Sequence, residues 1–269
     1  MTINYSDKVY IGKTDEKVFA IGLGTWNIRD YSRARKVFLY AFQHGVDNVD
    51  TAEMYDNGYA EVFVGNVVRE YGRENIFITT KMLPNHLISS DNVLKAGLRA
   101  IRRMNIEYVD LFLIHWPNTS LPIREQIRNF EILVEKGISR YIGVSNFNRI
   151  ELEEAINSTK KTDIVVNQVH YSVLNKNIEK DLYPFMLEKK VTLQAYSPIE
   201  QGKVKYHRIL REIADKIGKT PIQIALNYVI SHPNTIAVVK TENIDHLIEI
   251  LGSTGWRLPV EYLEILSRI

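Results

Sequence analysis

Polar side chains stand at the far ends of short apolar runs throughout this chain: Asp50-Thr51, Thr80-Lys81, His115-Trp116, Ser145-Asn146, Asn167-Gln168, Tyr196-Ser197 and Lys240-Thr241, with Tyr55 just beyond the first of them. An ionisable side chain is costly to bury alone, so several on successive runs imply one prearranged polar cluster. A carboxylate, an ammonium, an imidazole and a phenol together can do acid–base chemistry. The structural alternative makes Asp50 and Lys81 a buried ion pair and His115 a satisfied core histidine. A metal-dependent hydrolase would also use such residues, but the chain lacks a His-x-His pair and an evident third ligand, so no metal is expected. Cysteine is absent, which removes thiolate nucleophiles and Cys-ligated zinc.

The runs that carry these residues are Phe19 to Leu23, Val46 to Thr51, Ile76 to Lys81, Val109 to His115, Tyr141 to Ser145, Ile164 to Val169, Thr192 to Ser197 and Ile236 to Lys240. Between them, Ser32 to Gln43, Tyr59 to Tyr71, Asp91 to Met104 and Ile123 to Lys136 have apolar residues at helical spacing, with Gly45, Gly72 and Gly137 placed as left-handed caps. Alternating strands and helices predict a parallel sheet of the α/β class. Eight such units without a linker predict a closed (β/α)8 TIM barrel, with residues 1–269 as a single domain. Such a barrel keeps its active site at the C-terminal ends of its strands, where the polar residues fall. Residues 7 to 20 are expected to form an N-terminal hairpin plugging the bottom. Thr220-Pro221 opens a helix, and Pro259 opens a short C-terminal one.

Composition narrows the partners. Hydrophobic residues make up 45% of the chain and charged ones 25%, enough apolar material for a sizeable core. A net charge of +2 with no long Lys/Arg run argues against nucleic acid. The N-terminus, Met1 to Lys13, is polar, and no stretch approaches the ~18 apolar residues of a membrane span. A cytoplasmic protein that does not bind membranes, monomeric or weakly homo-oligomeric, is expected.

Several motifs follow one another in order: Gly22-Leu23-Gly24-Thr25-Trp26, Asp50-Thr51-Ala52-Glu53-Met54-Tyr55, Ala60-Glu61 with Gly65, Thr80-Lys81, Leu113-Ile114-His115-Trp116-Pro117, Ile142-Gly143-Val144-Ser145-Asn146-Phe147, Asn167-Gln168 with Tyr171, and Tyr196-Ser197-Pro198. In this order and spacing, over nearly the full length, the chain resembles the aldo-keto reductase superfamily. The resemblance implies hydride transfer from NADPH, with NADH also accepted, to an aldehyde or ketone, so small carbonyl or alcohol substrates are the expected partners. It makes Tyr55 the general acid. Lys81 would lower the phenol from its ordinary pKa of about 10, Asp50 would hold Lys81, and His115 would polarise the carbonyl. Ser145, Asn146 and Gln168 would bond the carboxamide and Tyr196 would stack on the nicotinamide ring, with Gly24, Thr25, Trp26, Asp50, Ser197 and Pro198 completing the cofactor cradle. Trp26, Met54, Met82 and Trp116 would line the substrate pocket beside Tyr55 and His115.

A second reading is a cofactor-binding module that senses redox state with little turnover; the intact set of Asp50, Tyr55, Lys81 and His115 argues against it. His44, His86, His170, His207 and His232 match no functional position and are read as surface or packing residues. Gly22-Leu23-Gly24 is not a dinucleotide fingerprint, because Asn27 stands where its third glycine would fall, and it is read as the first strand-to-loop turn.

The chain departs from the family after the eighth run. Lys240, Thr241 and Glu249 fit the family's cofactor-binding pattern, but His246 stands where an Arg usually grips the 2′-phosphate, and Ile250 replaces an Asn. An imidazole of ordinary pKa about 6.5, with Glu242 and Asp245 nearby, predicts dual cofactor use that favours NADPH more strongly toward pH 6. The chain stops at Ile269, where many relatives continue into a loop over the substrate, and Asn118 to Leu121 is short. An open apolar pocket with broad, low-affinity use of small aldehydes is expected. Glu200-Gln201-Gly202-Lys203 is also short, which predicts quick cofactor release.

Overall fold

In the computed structural model, which describes residues 7–269, Lys8–Tyr10 (β1) pairs antiparallel with Lys17–Phe19 (β2), Val9 lying opposite Val18. Met1 to Ser6, part of the polar N-terminus, lie outside the described residues. Alternation along the hairpin buries Val9 and Val18 and leaves Lys8, Tyr10 and Lys17 exposed. The Gly12 N–H donates to Oγ1 of Thr192 at 2.8 Å, and that hydroxyl donates to the Tyr10 carbonyl at 2.7 Å. Thr192 is the first residue of a barrel strand, so the hairpin closes the N-terminal end, as expected.

The barrel strands are Ile21–Gly24 (β3), Asn48–Asp50 (β4), Phe77–Met82 (β5), Val109–Ile114 (β6), Ser139–Ser145 (β7), Ile164–His170 (β8), Thr192–Tyr196 (β9) and Thr235–Val239 (β10). They close in chain order, each parallel to its neighbours, with β10 returning to β3. Each expected run yields one strand with small shifts at its ends. Gly22 and Gly24 lie within β3 and do not form a turn, which corrects the expectation. The reason at Gly22 is close packing: a Cβ there would come within 2.0 Å of Oδ1 of Asn48 on the neighbouring strand.

The outer layer comprises Tyr31–Gln43 (α1), Tyr59–Tyr71 (α2), Ser90–Met104 (α3), Ile123–Phe130 (α4), Ile132–Glu135 (α5), Arg149–Ser158 (α6), Leu182–Lys189 (α7), Arg208–Ile217 (α8), Pro221–Ile230 (α9), Ile244–Leu251 (α10) and Val260–Ser267 (α11). The single helix expected over 123–136 is two. At the break, buried Glu131 turns its carboxylate to the backbone N–H groups of Lys160, Lys161 and Thr162 at 2.8, 2.7 and 3.2 Å. α9 opens with a capping box between Thr220 and Gln223, and Pro221 sits in its first turn, as the sequence predicts. No helix among the described residues is long and apolar enough to cross a membrane.

Strand alternation decides what reaches the site. On β5, Lys81 points into the barrel, whereas Thr80 faces the helix layer and bonds Glu61 of α2. Met82 shares the outward parity of Thr80 and is buried in the apolar core at 1% exposure.

Candidate active site

The register pairs β4 with β5, Asp50 opposite Thr79, and on the other side of the barrel β8 with β9, Gln168 opposite Gln194. Lys81 is fully buried, and its ammonium spends three hydrogens on Oδ2 of Asp50 at 2.7 Å, the Thr51 carbonyl at 2.9 Å and the Tyr55 hydroxyl at 3.0 Å. Nε2 of Gln168 donates to the other Asp50 oxygen at 2.7 Å and to Oε1 of Gln194 at 2.8 Å. One hydrogen-bonded chain therefore runs from Tyr55 across the barrel mouth to β9.

Burial works to lower the Lys81 pKa, but the Asp50 carboxylate, with Tyr55, outweighs it, and the ammonium is held above its ordinary value. Burial pushes the Tyr55 phenol up; Lys81 pulls it back, and the net direction is upward. The expected lowering by Lys81 is thus present but outweighed, and Tyr55 carries its proton at neutral pH.

His115 lies edge-on to Tyr55, ring centroids 5.8 Å apart, and parallel to Trp116 at 3.8 Å. Burial, then the Lys81 ammonium, depress its pKa to about 2, so the imidazole is neutral. Its Nδ1 is buried without a hydrogen-bond partner.

Beside this chain, the Tyr196 hydroxyl donates to Oδ1 of Asn146 at 3.0 Å, and Nδ2 of Asn146 donates to the His115 carbonyl at 3.0 Å and to Oγ of Ser145 at 3.1 Å. The Ser145 hydroxyl donates to the Gln168 carbonyl at 2.9 Å. Asn146 and Ser197 take left-handed φ values of 61° and 53°, turning the chain sharply at the ends of β7 and β9. His170 lies parallel to one face of Tyr196 at 5.4 Å and is itself held by Glu200 and Asn175 at 2.8 and 2.7 Å. Tyr196 is thereby tied through its hydroxyl to Asn146 and through its ring to His170. Thr25 ties the turn after β3 to the Asp50 carbonyl through its N–H at 3.0 Å; Gly24, at the end of β3, and Pro198, beyond β9, are both buried.

After β10, Lys240 pairs with Glu242, and Glu242 also accepts the N–H groups of Arg29 and Asp30 at 3.0 and 2.8 Å. Burial opposes its charge, but Lys240 and these amides hold the carboxyl below its ordinary value. Thr241 bonds the Asn243 backbone; His246 is exposed on the first turn of α10, and Glu249 is half-buried near that helix's end.

Trp26, Met54 and Trp116 are 52%, 43% and 39% exposed and give an apolar surface around Tyr55 and His115. Met82 does not join it, a correction that follows from its outward parity. Sequence reasoning also passed over Gln194, signalled by a polar residue inside an apolar strand, and His170, which sits two residues beyond Gln168 on the same strand face. Among the described residues no group of three or more acidic or histidine side chains is placed to hold a metal ion.

A (β/α)8 barrel with a buried Lys–Asp pair under a protonated tyrosine defines a class of carbonyl oxidoreductases, and the comparisons agree. The model of the aldo/keto reductase family matches residues 20–269. The chain is 31% identical over 242 residues to the methylglyoxal reductase YeaE of Escherichia coli, covering 87% of this chain and 84% of that protein. The crystal structure of the thermostable aldo-keto reductase Tm1743 with the inhibitor epalrestat superposes with a TM-score of 0.90 at 38% identity, covering 97% of this chain and 98% of that one. An aldo-keto reductase from Klebsiella pneumoniae in complex with NADPH superposes with a TM-score of 0.90 at 29% identity, covering 98% and 95%. This chain belongs to the aldo/keto reductase family and is an NAD(P)H-dependent oxidoreductase.

Proposed function

We propose that this enzyme reduces small aldehydes and ketones to alcohols with Tyr55 as the proton donor. The observation that carries the reading is the buried contact of Lys81 with both Asp50 and Tyr55. Tyr196, Ser145, Asn146 and Gln168 would hold NADPH, which when bound would supply the hydride for the carbonyl carbon. The Tyr55 hydroxyl gives its proton to the carbonyl oxygen, and the Lys81 ammonium stabilises the phenolate left behind. Neutral His115 donates an N–H to the same oxygen and adds no charge of its own.

The open apolar surface of Trp26, Met54 and Trp116 suits small substrates held loosely, and the likeness to a methylglyoxal reductase makes short oxoaldehydes the first to test. The Lys240–Glu242 pair leaves less positive charge for a 2′-phosphate, which supports use of both NADPH and NADH. The test follows NADPH and NADH oxidation by absorbance with methylglyoxal as acceptor, in the parent and in Tyr55→Phe. Loss of the acid should lower kcat by ~10² to 10⁴ with NADPH affinity kept. A parent that binds NADPH but never turns over aldehydes sinks the reductase reading in favour of a redox-sensing module. A Tyr55→Phe variant with parental rates removes Tyr55 as the acid.

A further inference from the structure

Tyr55 does not sit on a strand. It lies on the segment that leaves β4 and enters α2, and the next two residues, Asp56 and Asn57, take left-handed φ values of 48° and 53°. Gly58 follows at φ 89°. Successive left-handed residues outside glycine are strained and persist only where neighbours hold them. The far end of this segment is held by charged groups outside the catalytic cluster.

Glu61, in the first turn of α2, is fully buried. It accepts the Thr80 hydroxyl at 2.6 Å and Nε of Arg103 at 2.5 Å. Thr80 precedes Lys81 on β5, so Glu61 ties the start of α2 to the strand that presents the ammonium. Arg103, near the end of α3, packs under the segment: a Cβ at Gly58 would meet its Cδ at 2.8 Å. Its NH2 is buried without a hydrogen bond and stands 4.0 Å from Oε2 of Glu53, two residues before Tyr55. Oε1 of Glu53 accepts the Leu83 N–H at 2.6 Å, just past Lys81 on the other side. The segment is therefore gripped on both sides of Tyr55, and both grips run to β5.

We propose that Arg103 and Glu61 are positioning residues for the reduction, holding the Tyr55 hydroxyl in contact with Lys81 from behind the barrel wall. This rests on Tyr55 being the acid. Neither side chain is placed to touch substrate or cofactor; their effect passes through the Gly58 turn and Thr80. A displacement of about 1 Å at a reacting group can lower the rate by ~10², so a loosened turn should act on turnover and leave cofactor binding alone.

Removing Arg103 alone would strand the buried Glu61 carboxylate, which is strongly destabilising. The experiment therefore uses Arg103→Lys, which keeps a cation, and the double variant Glu61→Gln/Arg103→Gln, which removes both charges. For each, with Tyr55→Phe alongside, the melting temperature, the NADPH Kd by fluorescence, and kcat with its pH profile are measured. The double variant should bind NADPH as the parent does, with kcat lower by ~10- to 100-fold. Its alkaline limb should move to higher pH by on the order of one unit, because Tyr55 loses part of the pull of Lys81. Arg103→Lys should fall between the two. Folded variants with the parental kcat and limb overturn the proposal; so does a lower kcat with an unmoved limb, or failure of both variants to fold, each of which assigns the pair to the fold alone. If Tyr55→Phe itself keeps parental turnover, the acid assignment fails first and is recognised as a separate failure.

Discussion

The Lys81 ammonium lies 3.0 Å from the Tyr55 hydroxyl and 4.7 Å from the centroid of the same ring. It therefore touches the acid at its oxygen and along its π face, and both contacts favour a fixed phenol. Asp50 keeps the ammonium in that place. Lys81→Met should abolish measurable reduction while leaving a folded protein only if Asp50 is neutralised with it, since an unpaired buried carboxylate destabilises by about 3–5 kcal/mol. Lys81→Met and Lys81→Met/Asp50→Asn are compared by thermal melts: the double variant should melt higher. Equal melting temperatures would contradict the tight pairing seen between the two.

His115 should make the fold acid-sensitive. Its folded-state pKa is depressed to about 2, against an ordinary 6.5, so the unfolded chain takes up a proton that the folded one refuses. The stability it contributes is complete above pH 6.5 and is lost as pH falls from there toward 2, by up to about 1.4 kcal/mol per pH unit. Urea melts at pH 7 and pH 5 should show a larger loss for the parent than for His115→Gln. Lys81 and Tyr55 have the opposite sign: both are raised, so their contribution is present below pH 10 and fades as pH climbs beyond it.

Glu242→Gln should free Lys240 and weaken the strap to Arg29 and Asp30. The ratio of Kd for NADH over NADPH, read by fluorescence titration, should rise about tenfold, since a charge-assisted contact is stronger by roughly 1.5 kcal/mol or more. An unchanged ratio would mean that Lys240 does not meet the 2′-phosphate.

Tyr196→Phe keeps the ring against His170 and removes the bond to Asn146, whereas Tyr196→Ala removes both. NADPH affinity should fall little in the first and by about 2- to 12-fold or more in the second, since an aromatic stack contributes about 0.5–1.5 kcal/mol beyond the area it buries. Equal losses in both would show that the hydroxyl, and not the ring, holds the cofactor.

Gly65→Ala should destabilise the protein by about 1–3 kcal/mol or more, because a Cβ there would lie 1.9 Å from the Met104 carbonyl oxygen and force α2 away from α3. A melting temperature within error of the parent would show that the two helices part freely.

What the sequence determined by itself was the series of strands and the polar residues at their ends. Buried parallel strands must be apolar along their length, so Val109–Ile114 or Thr235–Val239 stand out, and a lysine or histidine at such an end stands out more. Parity is legible as well: alternation alone sends Met82 outward after an inward Lys81. The tertiary structure decided which partners meet across the barrel and which electrostatic influence prevails. Gln168 joins Asp50 across 118 residues of chain, and Glu242 reaches Asp30 across 212. No local pattern encodes such pairs, because they depend on barrel closure bringing β10 back to β3. The net direction at Tyr55 is of the same kind: Lys81 lowers it and burial raises it, and how far burial goes is set by everything packed around the ring.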